Sequence, residues 1–592
     1  MGFRQAPLGI AEALLLGCKI EGSYSRSASS RSQPPIHVPT PNTEELIKQP
    51  YTRPISPEQL TAEVKGIYAG LVMVEKKCIE IDNAQSQQND PIKELNHDQW
   101  QALVALHRTL LQEHHDFLLA SQHHSASPAL RRSASENAVP ARIWRHGIHS
   151  FLGLLRHRLP ASAEHMLMFI YLAYSMMTVL YVTVPAFEDI WAECLGHLAR
   201  YRRLMAIQEV NISDAEHWVN VGYYWYSKAS HKAFTAGRLY HHLAVIAHPN
   251  ALQQLYYYTK SLCVAIPFAS TRNNIMTLFD PIFNKQQAVL PIKLVFTKTH
   301  GIMFSGKQQE NLKSSRDDFL LALDSYIARM ERRWLEIGYF TALSNCCAVV
   351  GYGDVTNPIF QQLCSEDPQD PGESTKKQLQ DAIALFVQTY DIVVHRLSDP
   401  NVLPYLNTTL VFVYHLTFYP GAISYIAPQF AWKRTADMLN NLATSCTDFT
   451  YIEGESIPQC GQPLPEDFAM RGLRWCDKVY PSNWFDNVWM DDDEKYFETS
   501  DRAENRHNRV LWLGCRLAAM GGKYLQYSSE THDFSVAPEY DTPTVDTLEM
   551  RELPDAPDTT TADTLEMGEL PDAPEYDTPT VDSLERASCR ML

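Results

Sequence analysis

The chain lacks the signatures that most catalytic proteins carry. None of its 12 cysteines forms a C-x-x-C pair, and no cysteine–histidine spacing reads as a zinc site. The cysteines are therefore expected as reduced thiols of a cytosolic or nuclear protein. There is no P-loop, no dinucleotide-binding glycine loop and no nucleophile elbow. The histidine pairs His114-His115, His123-His124 and His241-His242 lack the H-E-x-x-H spacing of a helical metal site. The acid run Asp491 to Glu494 reads as a solvated turn, because adjacent carboxylates on a helix point to different faces. No catalytic residue, metal or cofactor is expected from these patterns.

Period-two alternation with hairpin turns is also missing, which excludes a β-rich fold. The apolar run Ile10 to Ile20 is short and broken by Glu12 and Lys19, so it does not read as a secretory signal. Gly2 is followed by Ala6 where a myristoylation signal needs Ser or Thr.

Positive charge is scarce. The formal net charge is −18, and residues 537–592 hold 15 acids against three arginines. The body is therefore only mildly acidic, but it has no excess of Lys and Arg for broad, sequence-blind nucleic-acid binding. A local basic pocket is not excluded by this count.

What the chain has is apolar periodicity of helical type. Hydrophobic residues make up 45% and aromatics 11% of 592 residues, enough for several cores. Ser56-Pro57-Glu58-Gln59 reads as a capping box with Pro at the first helical position. Leu60, Val64, Ile67, Leu71, Val74 and Cys78 then recur at helical spacing. Further helices are expected around Trp100 to Phe117, Trp144 to Leu159 and Phe187 to Tyr201. Residues 121–140 read as a polar loop, and its Arg131-Arg132-Ser133 resembles a basophilic phosphorylation site. Met166 to Val184 is 19 residues without a charge, formally long enough to span a bilayer. Its serine, threonines and tyrosines favour a buried bundle helix, so no membrane partner is expected.

From Asp214 the pattern changes to helix pairs in which small residues face aromatics, the logic of tetratricopeptide repeats. More helices are expected around 309–340, 375–397, 402–419, 432–446, 464–478 and 502–526. Val350-Gly-Tyr-Gly-Asp354 resembles a potassium-channel filter, yet charged residues flank it on both sides, so a helix end and glycine turn are expected. The Ser/Pro-rich stretch before residue 56 and the acidic tail, in which Glu539 to Asp546 recurs at Glu575 to Asp582, cannot bury a core and read as disordered.

Two stretches carry a family resemblance. They are Cys194-Leu-Gly-His-Leu-Ala-Arg-Tyr-Arg202, and Gly237 to Ala247 followed by Ala251 to Leu262 and Pro267-Phe268. His300 to Phe304, Leu464 to Gly472 and Arg509 to Gly514 are consistent with it. Over about residues 57–526 the chain resembles the Est/SMG family of telomerase-associated and nonsense-mediated mRNA decay factors, in particular fungal members with a predicted DNA/RNA-binding domain.

The resemblance implies an all-α protein: a 14-3-3-like bundle over 56–212, tetratricopeptide-like hairpins over 213–300 and a C-terminal helical domain over 301–527, between disordered ends at 1–55 and 528–592. It also implies a non-enzymatic adaptor of the nucleus and cytoplasm. Its partner would be a phosphorylated protein segment, with weaker contact to RNA or telomeric DNA. The family's phosphate-binding Arg-Tyr pair matches Arg200-Tyr201, and its earlier basic position falls on Arg108. A guanidinium offers a bidentate fork to phosphate and a tyrosine hydroxyl adds a donor. Arg202, Arg203 and His197 would be auxiliary; the family usually has Asp where this chain has His197.

Two rivals stand beside this reading. One is a protein that binds nucleic acid first, through Arg200, Arg202, Arg203, Lys228, Lys232 and Arg238. The other is a divergent scaffold whose phosphate site has decayed.

Overall fold

The computed structural model describes residues 55–86, 95–285, 290–364, 372–458, 463–476, 478–486 and 498–541. The expected disordered N-terminus, the acid run Asp491 to Glu494 and the tail repeats beyond 541 lie outside them. The described residues are almost entirely helical, as the periodicity requires. They divide into two compact units at Leu198/Ala199, inside a helix.

In the first unit, Ser56 and Gln59 exchange the two reciprocal capping bonds, each 3.2 Å, and start α1 (Pro57–Ser86). α2 (His97–Ser121) runs back against it, stacking Phe117 on Tyr68 at 5.4 Å. α3 (Pro128–Glu136) corrects the expectation of a loop over 121–140. Ser127 caps it and Pro128 occupies its first turn, a start signal that the surrounding polar composition hides. Ser133 lies within this helix and donates to the Leu130 carbonyl. The chain continues through α4 (Val139–Arg142), a π-helical turn (Ile143–His149) and α5 (Ser150–His157).

α6 (Ala163–Thr183) is the long apolar segment and, among the described residues, the one helix apolar enough to cross a membrane. One face is buried through Met166, Phe169, Ile170, Ala173, Met177 and Leu180. The opposite face leaves Met168, Tyr171, Val179 and Val182 exposed, so the helix is half-buried rather than enclosed. α7 (Glu188–Gln208) begins with two acids against its positive N-terminal end.

The second unit starts with α8 (Ile212–Lys232), α9 (Gly237–Ile246) and α10 (Ala251–Cys263), each packed on the next. Small residues set the spacing: Gly222 of α8 faces Ile246 of α9. After α11 (Thr271–Asn274), α12 (Met276–Phe283) and α13 (Ile292–Ser305), the helix expected over 309–340 divides. α14 (Leu312–Met330) ends where Glu331 adopts φ 47°, and α15 (Trp334–Val349) continues in a new direction. The break separates two burial regimes. α14 keeps a solvent face, whereas nearly every α15 residue is buried.

α15 ends in the glycine turn expected at Val350 to Asp354, with Gly351, Tyr352 and Gly353 all left-handed. Gly353 must be glycine, because a Cβ there would meet the Leu262 carbonyl at 2.3 Å. Tyr352 is buried and its hydroxyl meets His300 Nδ1 at 2.9 Å.

α16 (Pro358–Leu363), α17 (Glu373–Val394), α18 (Leu403–Thr417) and α19 (Pro420–Ile423) follow; α15 and α18 form the central layer of the core. α20 (Trp432–Ala443), α21 (Thr450–Glu453), α22 (Pro465–Met470) and α23 (Ser500–Ala519) complete the helices. The chain then forms a small hairpin of β1 (Leu525–Tyr527) and β2 (Phe534–Val536). The reading of 528 onward as a disordered tail is thereby corrected for residues 528–541. The Asn440 side-chain amide bonds both the N–H and the carbonyl of Phe534, at 2.7 and 2.9 Å, as a neighbouring strand would.

Candidate nucleic-acid interface

The residues singled out from sequence fall in both units. Arg108 is exposed on α2 of the first unit. His197 is half-buried there, its ring 5.0 Å from that of Trp144.

Arg200 and Tyr201 are half-buried at the start of the second unit. Arg202 is buried and held by Asp214 at 2.5 Å and Glu209 at 3.6 Å. These ion pairs bind it into the α7–α8 turn. Arg203 donates to the His248 carbonyl at 3.2 Å. Burial lowers its pKa, and Arg200 lowers it further. Burial, then His242 and Arg200, push His241 well below its usual range, and burial then Arg203 push His248 down. Arg200 and Arg203 thus set a positive field that helps keep these buried histidines neutral.

A second cationic region was not visible in the sequence. After α10 the chain crosses the surface as an exposed strap, Ala265-Ile266-Pro267. Backbone bonds pin it on both sides: Gly237 N–H donates to the Ile266 carbonyl at 2.8 Å, and Val264 bridges Leu473. Lys260 is buried at 2% exposure and donates to the Ala469 carbonyl at 2.7 Å, over the Tyr240 ring. That bond and the Tyr256 hydroxyl, which donates to the same carbonyl at 3.0 Å, fix the end of α22 onto α10.

Three arginines surround the strap, each using an N–H on a main-chain carbonyl. Arg471 donates to His231 at 3.2 Å, Arg474 to Ala265 at 3.4 Å and Arg272 to Tyr352 at 3.1 Å. Their planes lie against aromatic rings. Arg471 sits between Phe234 and Phe485, with ring centres at 4.3 and 4.7 Å. Arg474 lies 5.5 Å from the Phe360 ring and Arg272 lies 6.0 Å from that of Phe304. All three are half-exposed.

Two of them act on one atom. Burial and Cys347 raise the Cys263 thiol, while Arg272 and Arg474 pull it back. The two charges therefore converge at the C-terminal end of α10, an end whose dipole favours cations. For Arg471, burial lowers the pKa and Tyr240 and Asp486 oppose the change. Guanidiniums stacked on rings and fixed through one N–H keep other donors for a polyanion.

Sequence reasoning missed this group because Arg272 lies far along the chain from Arg471 and Arg474. The available signal was Met470-Arg-Gly-Leu-Arg474, a pair of arginines about a glycine at the end of the stretch Leu464 to Gly472 noted for its resemblance.

Residues 224–477, all helical in character, match the family model described as the Est1 DNA/RNA binding domain. The three arginines, the strap and the aromatic rings against them all lie in or beside that segment. That match supports the resemblance to the Est/SMG family over this segment.

Proposed function

We propose that this chain is a non-enzymatic adaptor of nonsense-mediated mRNA decay or telomerase regulation, acting in nucleus and cytoplasm, whose second unit binds RNA or DNA through the Arg272, Arg471 and Arg474 surface. The single observation that carries the reading is the placement of three half-exposed guanidiniums around one strap, each fixed by a carbonyl and an aromatic ring. Phosphate contacts need such positioned cations, and a mildly acidic body confines binding to where they occur. One face of α6 packs under the first unit's core, which favours a bundle helix over a membrane span.

Crosslinking tests the location. The full chain, irradiated with a 4-thiouridine-bearing RNA and digested, should yield crosslinked peptides within 231–272 and 468–485. Crosslinks confined to the first unit would contradict the reading.

A specific observation also favours phosphopeptide recognition. Arg200 lowers the pKa of Arg203 and of His241, and a bound phosphate would relieve that repulsion. The adaptor would then hold a phosphorylated partner segment at Arg200 and Arg203, with Tyr201 beside them. A phosphoserine peptide should bind the full chain, its unphosphorylated form should not, and Arg203→Glu should abolish the difference. Equal binding of both peptides would remove this second reading.

A further inference from the structure

One cation just past the matched segment was not used above. Lys478 is exposed, and its Nζ lies 5.1 Å from the ring centre of Phe418 and 4.7 Å from that of Tyr419. These two aromatics follow directly on α18. Phe418 is 37% exposed, Tyr419 is half-exposed, and Pro420 and Gly421 beyond them are exposed too. The Tyr414 ring packs on Phe418 at 5.1 Å from one side, and the ring surface that remains is open to solvent beside Lys478.

The rings are held from behind. His415 is buried at 2% exposure, with its ring 5.5 Å from Tyr419 and 6.3 Å from Phe418. Burial, then Lys478, push its pKa down to about 4, so it backs the pair as a neutral ring at neutral pH. Its Nδ1 has no hydrogen-bond partner among the described residues.

The patch adjoins the arginine surface. Arg474 rests on Phe360 of α16. Gln362 of the same helix packs its amide against Gly421 of α19, one residue past Pro420. A path therefore runs from Arg474 across α16 to Phe418 and Lys478 without leaving the second unit. The chemistry changes along it, from guanidiniums to a cation over one exposed and one half-buried ring.

We infer that Phe418, Tyr419 and Lys478 form a base-stacking station, where an unpaired nucleobase of a bound strand lies on the aromatic pair while Lys478 takes the adjoining phosphate. The inference rests on the nucleic-acid reading above. Stacking needs only the π-face that every base offers, so RNA and DNA are both accommodated. A duplex keeps its bases stacked on one another and cannot present one to a surface ring.

Fluorescence anisotropy with the full chain tests it, using a labelled 12-nucleotide oligouridine, oligothymidine and an abasic strand of equal length. The base-bearing strands should bind about tenfold more tightly than the abasic strand. Phe418→Leu should remove most of that advantage and leave the abasic strand and the salt slope unchanged. Lys478→Gln should weaken both kinds of strand.

Should Phe418→Leu prove misfolded by circular dichroism, wild-type protein and a strand carrying 2-aminopurine decide the matter. Stacking quenches that base, and an unchanged emission at saturation overturns the station. Equal affinity for base-bearing and abasic strands also overturns it while leaving nucleic-acid binding intact. Binding of neither strand overturns the broader reading and the station together.

Discussion

Arg509 Nη1 lies 2.5 Å from Asp467 Oδ2, with neither side chain more than 3% exposed. One turn earlier on α23, Arg506 meets Glu466 at 2.6 Å, equally buried. The Tyr480 hydroxyl and the Leu464 N–H complete the partners of Asp467, at 2.8 and 2.9 Å. These bonds tie α23 to α22, which lies inside the matched segment, whereas α23 lies beyond its last residue, 477.

Breaking one side of that pair leaves a buried, uncompensated charge. Asp467→Ala or Arg509→Met should each cost about 3–5 kcal/mol in urea denaturation, and the double replacement should cost less than the sum. A chain truncated after residue 485 should lose the cooperative transition of the second unit, whereas truncation after 541 should keep it. Retention of that transition after the shorter truncation would show that α23 is dispensable.

Glu75 predicts an acid limb for the first unit. Burial acts to raise its pKa, but His114 at 3.5 Å and the hydrogen-bonded Arg142 overcome this and hold it at about 2. A carboxylate lowered on folding contributes stability that is present above its unfolded value, near 4.5, and is lost as pH falls towards 2. Glu75→Gln should destabilise this unit at pH 7 on the order of 2 kcal/mol, allowing for partial solvent screening. It should also flatten the loss between pH 4.5 and 2, measured by thermal melts across that range. An unchanged acid limb in the variant would assign the acid sensitivity elsewhere.

Val210 is 81% exposed and sits at φ 56°, a β-branched residue in the left-handed region, just past the end of α7. Glycine is at home there, and the branched side chain costs about 1–2 kcal/mol. Val210→Gly should therefore stabilise the protein by up to about 1 kcal/mol, the remainder offset by glycine's chain entropy. A lower melting temperature in the variant would contradict this.

Gly237 tests how the strap is held. A Cβ there would lie 2.4 Å from the Ser261 carbonyl oxygen and 2.7 Å from the Phe268 nitrogen, both backbone atoms that cannot rotate aside. Gly237→Ala should destabilise by about 2 kcal/mol or more and weaken nucleic-acid binding beyond that expected from unfolding alone. Hydrogen exchange at Ile266, whose N–H bonds the Thr235 carbonyl, should quicken in the variant.

Much of this fold was legible in the sequence, because helical periodicity reports burial directly. The capping box at Ser56, the helix ends at Val350 and the glycine turn behind them all follow from local chemistry. The misses have physical causes as well. α3 was hidden because its polar surface outweighed the Ser127-Pro128 start signal. The break at Glu331 reflects a change of burial that neither flanking pattern announces. The hairpin at 525–536 is three residues per strand, too short for alternation to register. The arginine surface was illegible for a different reason: Arg272 and Arg474 become neighbours only through α10 and its strap. Of the predicted basic set, Arg202 showed how charge in sequence need not be charge available, since Asp214 and Glu209 bind it.

The central claim is that nucleic acid is held by the arginines around the strap. The most direct measurement is the salt dependence of RNA affinity for the full chain and for the Arg272→Gln/Arg471→Gln/Arg474→Gln variant. Each lost phosphate contact should reduce the slope of log affinity against log salt by about 0.7–0.9, so the triple variant should fall by roughly 2–3. Identical slopes and affinities in the two folded proteins would place the nucleic acid elsewhere and contradict the account.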